Sequence, residues 1–230
     1  MELKLMKTQK LTPLAQWLII AKLNHCFKGN HLSMQEIADL FKVERISIRR
    51  AAEQLEEHGF AHRVRGKGVD MHKVYLDWDK GKVQLWEAAI KYMKPPCVRH
   101  YHVKTPANME LFTPGGLHLL SERTTHKKID GKPHLVYKGF SQSRKRNEAL
   151  IERVRPSEAD YVVEFWSYPP ILPGRDEMDN LSLYLSTDAT GDKDMEMNHA
   201  LILTTFDWDG HGHYSPRRFR RTPLSGIFGR

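Results

Sequence analysis

Arg45, Ser47, Arg49 and Arg50 stand within one short stretch of the chain. Arginine carries a planar fork of N–H donors that fits the O6 and N7 acceptors of guanine and also fits phosphate oxygens. Such a cluster therefore suits recognition of a nucleic acid. Arg63, Arg65 and Lys67 follow, set around Gly66 and Gly68, and basic side chains on a glycine-rich turn suit the phosphate backbone or the minor groove. The most metal-like spacing is Asp207-x-Asp209-x-His211-x-His213. On a strand these four would share one face, and imidazole and carboxylate are good ligands for zinc or manganese. Gly210 and Gly212 interrupt such a strand, so a solvated polar loop is the expectation and no metal or other cofactor is assigned. Residues 188–196 are acidic but lack the ligand register of an EF-hand and read as a solvated loop. Gly115-Gly116 lacks the Lys-Ser/Thr of a phosphate loop. The runs Arg144-Lys145-Arg146 and Arg217, Arg218, Arg220, Arg221 could meet phosphates, the chain's own acidic segment, or solvent.

The first cluster needs an element that exposes it. Ser33 is a good N-cap, and Glu36 three residues later completes a capping box. Ile37, Leu40 and Phe41 then recur on one helical face. Phe41-Lys42-Val43 is short enough to be a tight turn. A second helix over 44–58 buries Ile48, Ala52 and Leu55, and Gly59 stops it in the left-handed conformation. That register leaves Arg45, Ser47, Arg49 and Arg50 on the free N-terminal part of the helix, with Glu53, Glu56 and Glu57 turned elsewhere. Residues 60–65 alternate as a strand, Gly66-Lys67-Gly68 is a turn, and 69–75 is the expected returning strand. Helix, turn, helix and hairpin in this order describe a winged helix-turn-helix, which places its second helix in the DNA major groove.

VERISIRRAAEQLEEHGFAHRVRGKGV resembles the reader segment of GntR-type bacterial transcription regulators, whose pattern is roughly V-S-R-x-T-V-R-x-A-L-x-x-L-x-x-x-G-x-[LI] followed by a G-x-G wing. Arg45 and Arg49 fall on its two arginines, Ser47 on its threonine, Leu55 on its second leucine, and Gly66 and Gly68 on its wing glycines. The resemblance implies that Arg45, Ser47 and Arg49 contact DNA. Glu44 and Ala52 depart from the pattern, which leaves a MarR-like or otherwise divergent winged helix open. A winged helix used only for protein contacts also stays open, because fold alone does not fix function. Further along, GGLHLLSERT, VVEFWSY and DNLSLYLS resemble, at scattered positions, the C-terminal domains of abortive-infection antitoxin-type regulators.

Earlier in the chain, Thr12 and Pro13 open a helix that is apolar over much of its girth, expected to be partly buried and partly a dimer surface. A linker helix follows Lys82, and Pro95-Pro96 mark the expected boundary between a winged-helix domain over 1–94 and an effector or partner domain over 95–230. In the second part, a helix is expected after Gly116, strands over 132–140 and 161–168, a short helix over 147–154, and another ordered segment over 179–185. The fold class expected is therefore α+β, an N-terminal winged helix-turn-helix with a C-terminal mixed α/β domain.

The 230 residues carry a net charge of +8, unevenly spread. Residues 1–30 hold five basic and one acidic residue, whereas 156–209 hold two basic and twelve acidic. A basic N-terminal part suits attraction to DNA. Only Cys26 and Cys97 are present, which read as reduced thiols of a cytoplasmic protein. No apolar run approaches the ~20 residues of a membrane span, and no secretory leader is visible. The expectation is a non-enzymatic, sequence-specific regulator of double-stranded DNA, acting as a homodimer because one reading helix covers only a half-site. A protein partner or small effector is expected at the C-terminal domain. Two alternatives stand beside it: an antitoxin-type repressor that binds a toxin, and a metal-dependent nucleic-acid enzyme with a C-terminal site.

Overall fold

Helix α1 (Pro13–Leu23) starts where Thr12 accepts a hydrogen bond from the Ala15 amide and Pro13 occupies the first turn. The structure, a computed structural model, describes residues 9–27, 32–124, 131–141, 144–187 and 192–209. Every residue from Ala15 to Ala21 is buried, including Gln16. A helix buried all round needs neighbours on every side. Helices α3 (Arg45–Glu57) and α4 (Lys82–Ala89) supply part of this cover, and Tyr168 from the C-terminal half supplies more, with its ring 6.4 Å from that of Trp17. The expected dimer surface on α1 is thus corrected, since its apolar girth is consumed within one chain.

Helix α2 (Met34–Phe41) carries the expected capping box: the Glu36 amide donates to Ser33 Oγ (3.3 Å) and the Ser33 amide donates to Glu36 Oε2 (2.7 Å). Lys42 ends α2 in the left-handed conformation, φ 53°. Helix α3 (Arg45–Glu57) follows directly and buries Ile48, Ala51, Ala52 and Leu55. The small Ala51 and Ala52 let α3 lie close against its neighbours. Gly59, at φ 66°, then turns the chain into a hairpin of β1 (Ala61–Arg65) and β2 (Val74–Trp78), paired from Ala61↔Trp78 to Arg65↔Val74. The returning strand therefore begins at Val74, later than expected. Gly68 sits at φ 59°, and residues Gly68–Asp70 coil into a 3-10 turn instead of extending. A bridge between Ser33 and Tyr75 ties the hairpin to the start of α2.

Helix α4 (Lys82–Ala89) leads into a 3-10 turn and then β3 (Cys97–Val103). The remaining elements are β4 (Phe112–Gly115), α5 (Gly116–Thr124), β5 (His134–Tyr137), α6 (Arg144–Glu148), β6 (Tyr161–Trp166), α7 (Asn180–Ser186) and α8 (Lys193–Thr205). The expected 147–154 helix is displaced to α6, and part of the expected acidic loop is the first turn of α8. The larger sheet has the order β3-β6-β5-β4, with β5 and β6 parallel and the other pairs antiparallel. Alternation along β6 splits its side chains between two faces. Val163 and Phe165 pack with Tyr101, Val103, Phe112 and Leu135 on one side.

On the other face, Val136 and Trp166 enter a large cluster that also holds Leu18, Ile20, Leu55, Trp86, Tyr168, Leu181 and Ile202. One buried cluster thus spans residues on both sides of Pro95-Pro96. The fold is mixed α+β, with eight α-helices and a four-stranded sheet among the described residues. No helix among them is long and apolar enough to cross a membrane.

Candidate nucleic-acid interface

The buried stripe of α3 fixes what its other face presents. Ile48, Ala52 and Leu55 point inward, so Arg45, Ile46, Arg49 and Arg50 stand exposed and Ser47 is half-buried at the rim. Arg45 and Arg49 are one helical turn apart and leave the same face. The side chains of Arg45 and Arg50 make no hydrogen bond or ion pair among the described residues. Arg49 Nε donates to Glu53 Oε1 at 3.0 Å, yet its side chain is 63% exposed. An arginine has five N–H donors, so this single bond leaves the outer edge of the Arg49 fork open.

Arg63 is placed differently. Its Nε and Nη2 donate to Glu56 Oε2 at 2.9 and 2.6 Å, and its Nη1 donates to Glu53 Oε1 at 3.1 Å. Its backbone amide donates to Glu56 Oε1 at 3.1 Å. Arg63 is therefore a strut between β1 and α3. The glutamates that sequence reasoning merely turned aside are its partners. The Arg63 amide and guanidinium hold the Glu56 carboxyl below the usual carboxylate range. Arg49 first, and Arg63 with it, do the same for Glu53.

The side chains of Arg65 and Lys67 sit exposed at the end of the hairpin and make no hydrogen bond or ion pair among the described residues. The tip is a closed structure. The Gly66 amide donates to the Lys73 carbonyl at 3.0 Å, the Lys73 amide to the Asp70 carbonyl at 2.8 Å, and Lys73 Nζ pairs with Asp70 at 2.9 Å. A Cβ on Gly66 would lie 2.2 Å from the Asp70 carbonyl oxygen, so only glycine fits there. The arrangement presents cations on the free face of α3 and on the hairpin tip, with β1 tied to α3 by the Arg63 strut.

Glu164, buried on β6, accepts Trp166 Nε1 at 2.8 Å and pairs with His134 Nδ1 at 2.5 Å. Both carboxylate oxygens are engaged. The neighbouring Cys97 thiol is pushed up to about 12, by burial first and by Glu164 second, so it is no nucleophile at neutral pH. This cluster reads as an internal network of the sheet. No group of three or more His, Cys, Asp or Glu side chains among the described residues is arranged to hold a metal ion.

Of the metal-like run, Asp207 and Asp209 follow α8, and the Asp207 carbonyl lies 3.3 Å from His25 Nε2. His211, His213, Arg217, Arg218, Arg220 and Arg221 lie outside the described residues. Sequence reasoning missed the polar joint across the chain. Gln16 Nε2 donates to the Lys94 carbonyl (2.9 Å) and to Tyr168 Oη (3.2 Å), and Asn24 Nδ2 donates to Asp179 Oδ1 (3.3 Å). The one available signal is Gln16 inside the otherwise apolar run of residues 14–21 in α1. Comparison of the chain with family models, curated proteins and solved structures returns no match.

Proposed function

We propose that this protein is a sequence-specific regulator of double-stranded DNA, built as a winged helix-turn-helix with α3 as the reading helix and the β1–β2 hairpin as the wing. The observation that carries this reading is the free face of α3. Arg45 and Arg50 are exposed and unengaged at its N-terminal end, and Arg49 shares the face through its open fork. Helices of this kind contact base edges with that end. The tip cations Arg65 and Lys67 would track phosphates beside the groove. Two copies would act together, because one reading helix spans only a half-site. The C-terminal half, joined to α1 by shared core, would modulate the reader in response to an effector or protein partner.

Selection of duplexes from a randomised pool with the full chain tests this reading. Enrichment of a short, two-fold symmetric motif is the expected result. Recovery of no common motif, with binding that responds only to salt, would contradict it. An antitoxin role has no specific support in the geometry, and a metal-dependent nuclease role has none among the described residues.

A further inference from the structure

The wing tip carries a feature that cation recognition does not use. Val69 is 90% exposed and Met71 is 66% exposed, and they are the two most exposed large apolar side chains among the described residues. They do not hang on a slack loop. The Asp70 amide donates to the Lys67 carbonyl and the Met71 amide to the Gly68 carbonyl, both at 3.2 Å. Gly66 is backed against the Asp70 carbonyl, and the only acid of the tip, Asp70, is paired with Lys73. The charged pair is less exposed than the two apolar side chains, which stand farthest into solvent. Arg65, Lys67 and His72 flank them, all exposed.

We infer that Met71, supported by Val69, is an apolar wedge that enters the minor groove of the duplex read by α3 and unstacks a base step there. This rests on the DNA-binding reading and adds a shape-dependent component to it. Three arguments select this occupant. The flanks are cationic, and the minor groove is a narrow channel, about 6 Å wide, of negative potential. Two side chains cover far less than the roughly 800 Å² per partner of a stable protein interface, so a protein docking face is poorly served. An apolar side chain presented on a closed turn is what insertion between base pairs requires. Pyrimidine–purine steps unstack most easily, so the operator should place a flexible step, such as TA, opposite the wing.

The test uses the full chain and a duplex selected by it, with 2-aminopurine at the step facing the wing. Binding of the wild type should brighten the probe, and replacing TA by AA there should weaken binding about tenfold. A Val69→Ser/Met71→Ser variant should keep its thermal stability, since both side chains are solvent-exposed, and should retain the base preferences of α3. It should leave the probe dark and lose the TA preference to within twofold. A dark probe with wild type, or equal brightening by the variant, overturns the wedge while leaving the DNA-binding reading standing. Failure of the full chain to select any duplex overturns both.

Discussion

The guanidinium of Arg63 on β1 lies 2.6 Å from the Glu56 carboxylate on α3, so the hairpin and the helix beside it are fastened by charge as well as by the core. The strut engages two of the three glutamates at the end of α3. Glu53 and Glu56 are paired with Arg63 and Arg49, so under the proposed function they would not meet phosphates as bare charges.

Arg63→Ala should lower stability by about 1 kcal/mol or less, as expected for a largely solvent-screened pair. Glu56 has a lowered folded pKa, so its contribution is present above the ordinary carboxylate pKa and lost as pH falls through the lowered value. The variant should therefore converge on wild type in acid. Thermal melts at neutral and acid pH check this, and a constant difference at both would contradict it.

Asp179 works with the opposite sign. Burial pushes its carboxyl up, partly offset by bonds from Ser182 and by the Arg123 charge. An acid whose folded pKa is raised loses stability as pH rises from its unfolded pKa through its folded one. Its Oδ1 accepts the Ser182 amide at 2.8 Å as the cap of α7 and accepts Asn24 Nδ2, roles an asparagine oxygen can also fill. Asp179→Asn should therefore match or exceed wild-type stability at pH 8 and remove the decline between acid and neutral pH. Destabilisation at every pH would show that the charge itself is needed.

Unfolding should be one cooperative transition. Leu18 and Ile20 share a cluster with Trp166, Tyr168 and Leu181, and Gln16 bonds both Lys94 and Tyr168. Removing residues 95–230 would strip cover from α1, so 1–94 should not melt as an independent cooperative unit. Calorimetry of the full chain checks this, and two resolved transitions would contradict it.

The legible part of the fold is the part with local signals. The capping box at Ser33, the apolar spacing of Ile48, Ala52 and Leu55, and Gly59 are neighbour-scale features, and α2, α3 and the start of the β1–β2 hairpin follow from them. The strand β3 is hidden by the Pro95-Pro96 break and by a register shift between Cys97 and Arg99, which spoils its alternation. The strand β4 has four residues, among them Pro114 and Gly115, and looks like a turn. Asp192 caps α8 by accepting the Asp194 and Met195 amides. Asp194 and Glu196 then favour the positive end of that helix. The acidity that suggested a loop is thus what a helix start wants. In the candidate site, the exposure of Arg45, Arg49 and Arg50 was readable from periodicity. The commitment of Arg63 to Glu56 was not, because it depends on how β1 folds back on α3.

At the wing, Lys67→Ala should weaken specific and non-specific duplexes about equally and lower the salt slope by about one unit, as loss of one phosphate contact does. Titrations over a range of salt concentrations check this. An unchanged slope with altered sequence preference would make Lys67 a base reader.

The central claim is that α3 reads bases through its free face. A single-base-substitution scan of the selected duplex, with wild type and Arg45→Ala, tests it most directly. Arg45 is exposed and unengaged, so the variant should keep its fold. A bidentate arginine–guanine pair discriminates by about 1–3 kcal/mol. The variant should therefore lose discrimination at one base position of each half-site and keep it at the others. A uniform loss on every sequence would make Arg45 a phosphate clamp and contradict the claim.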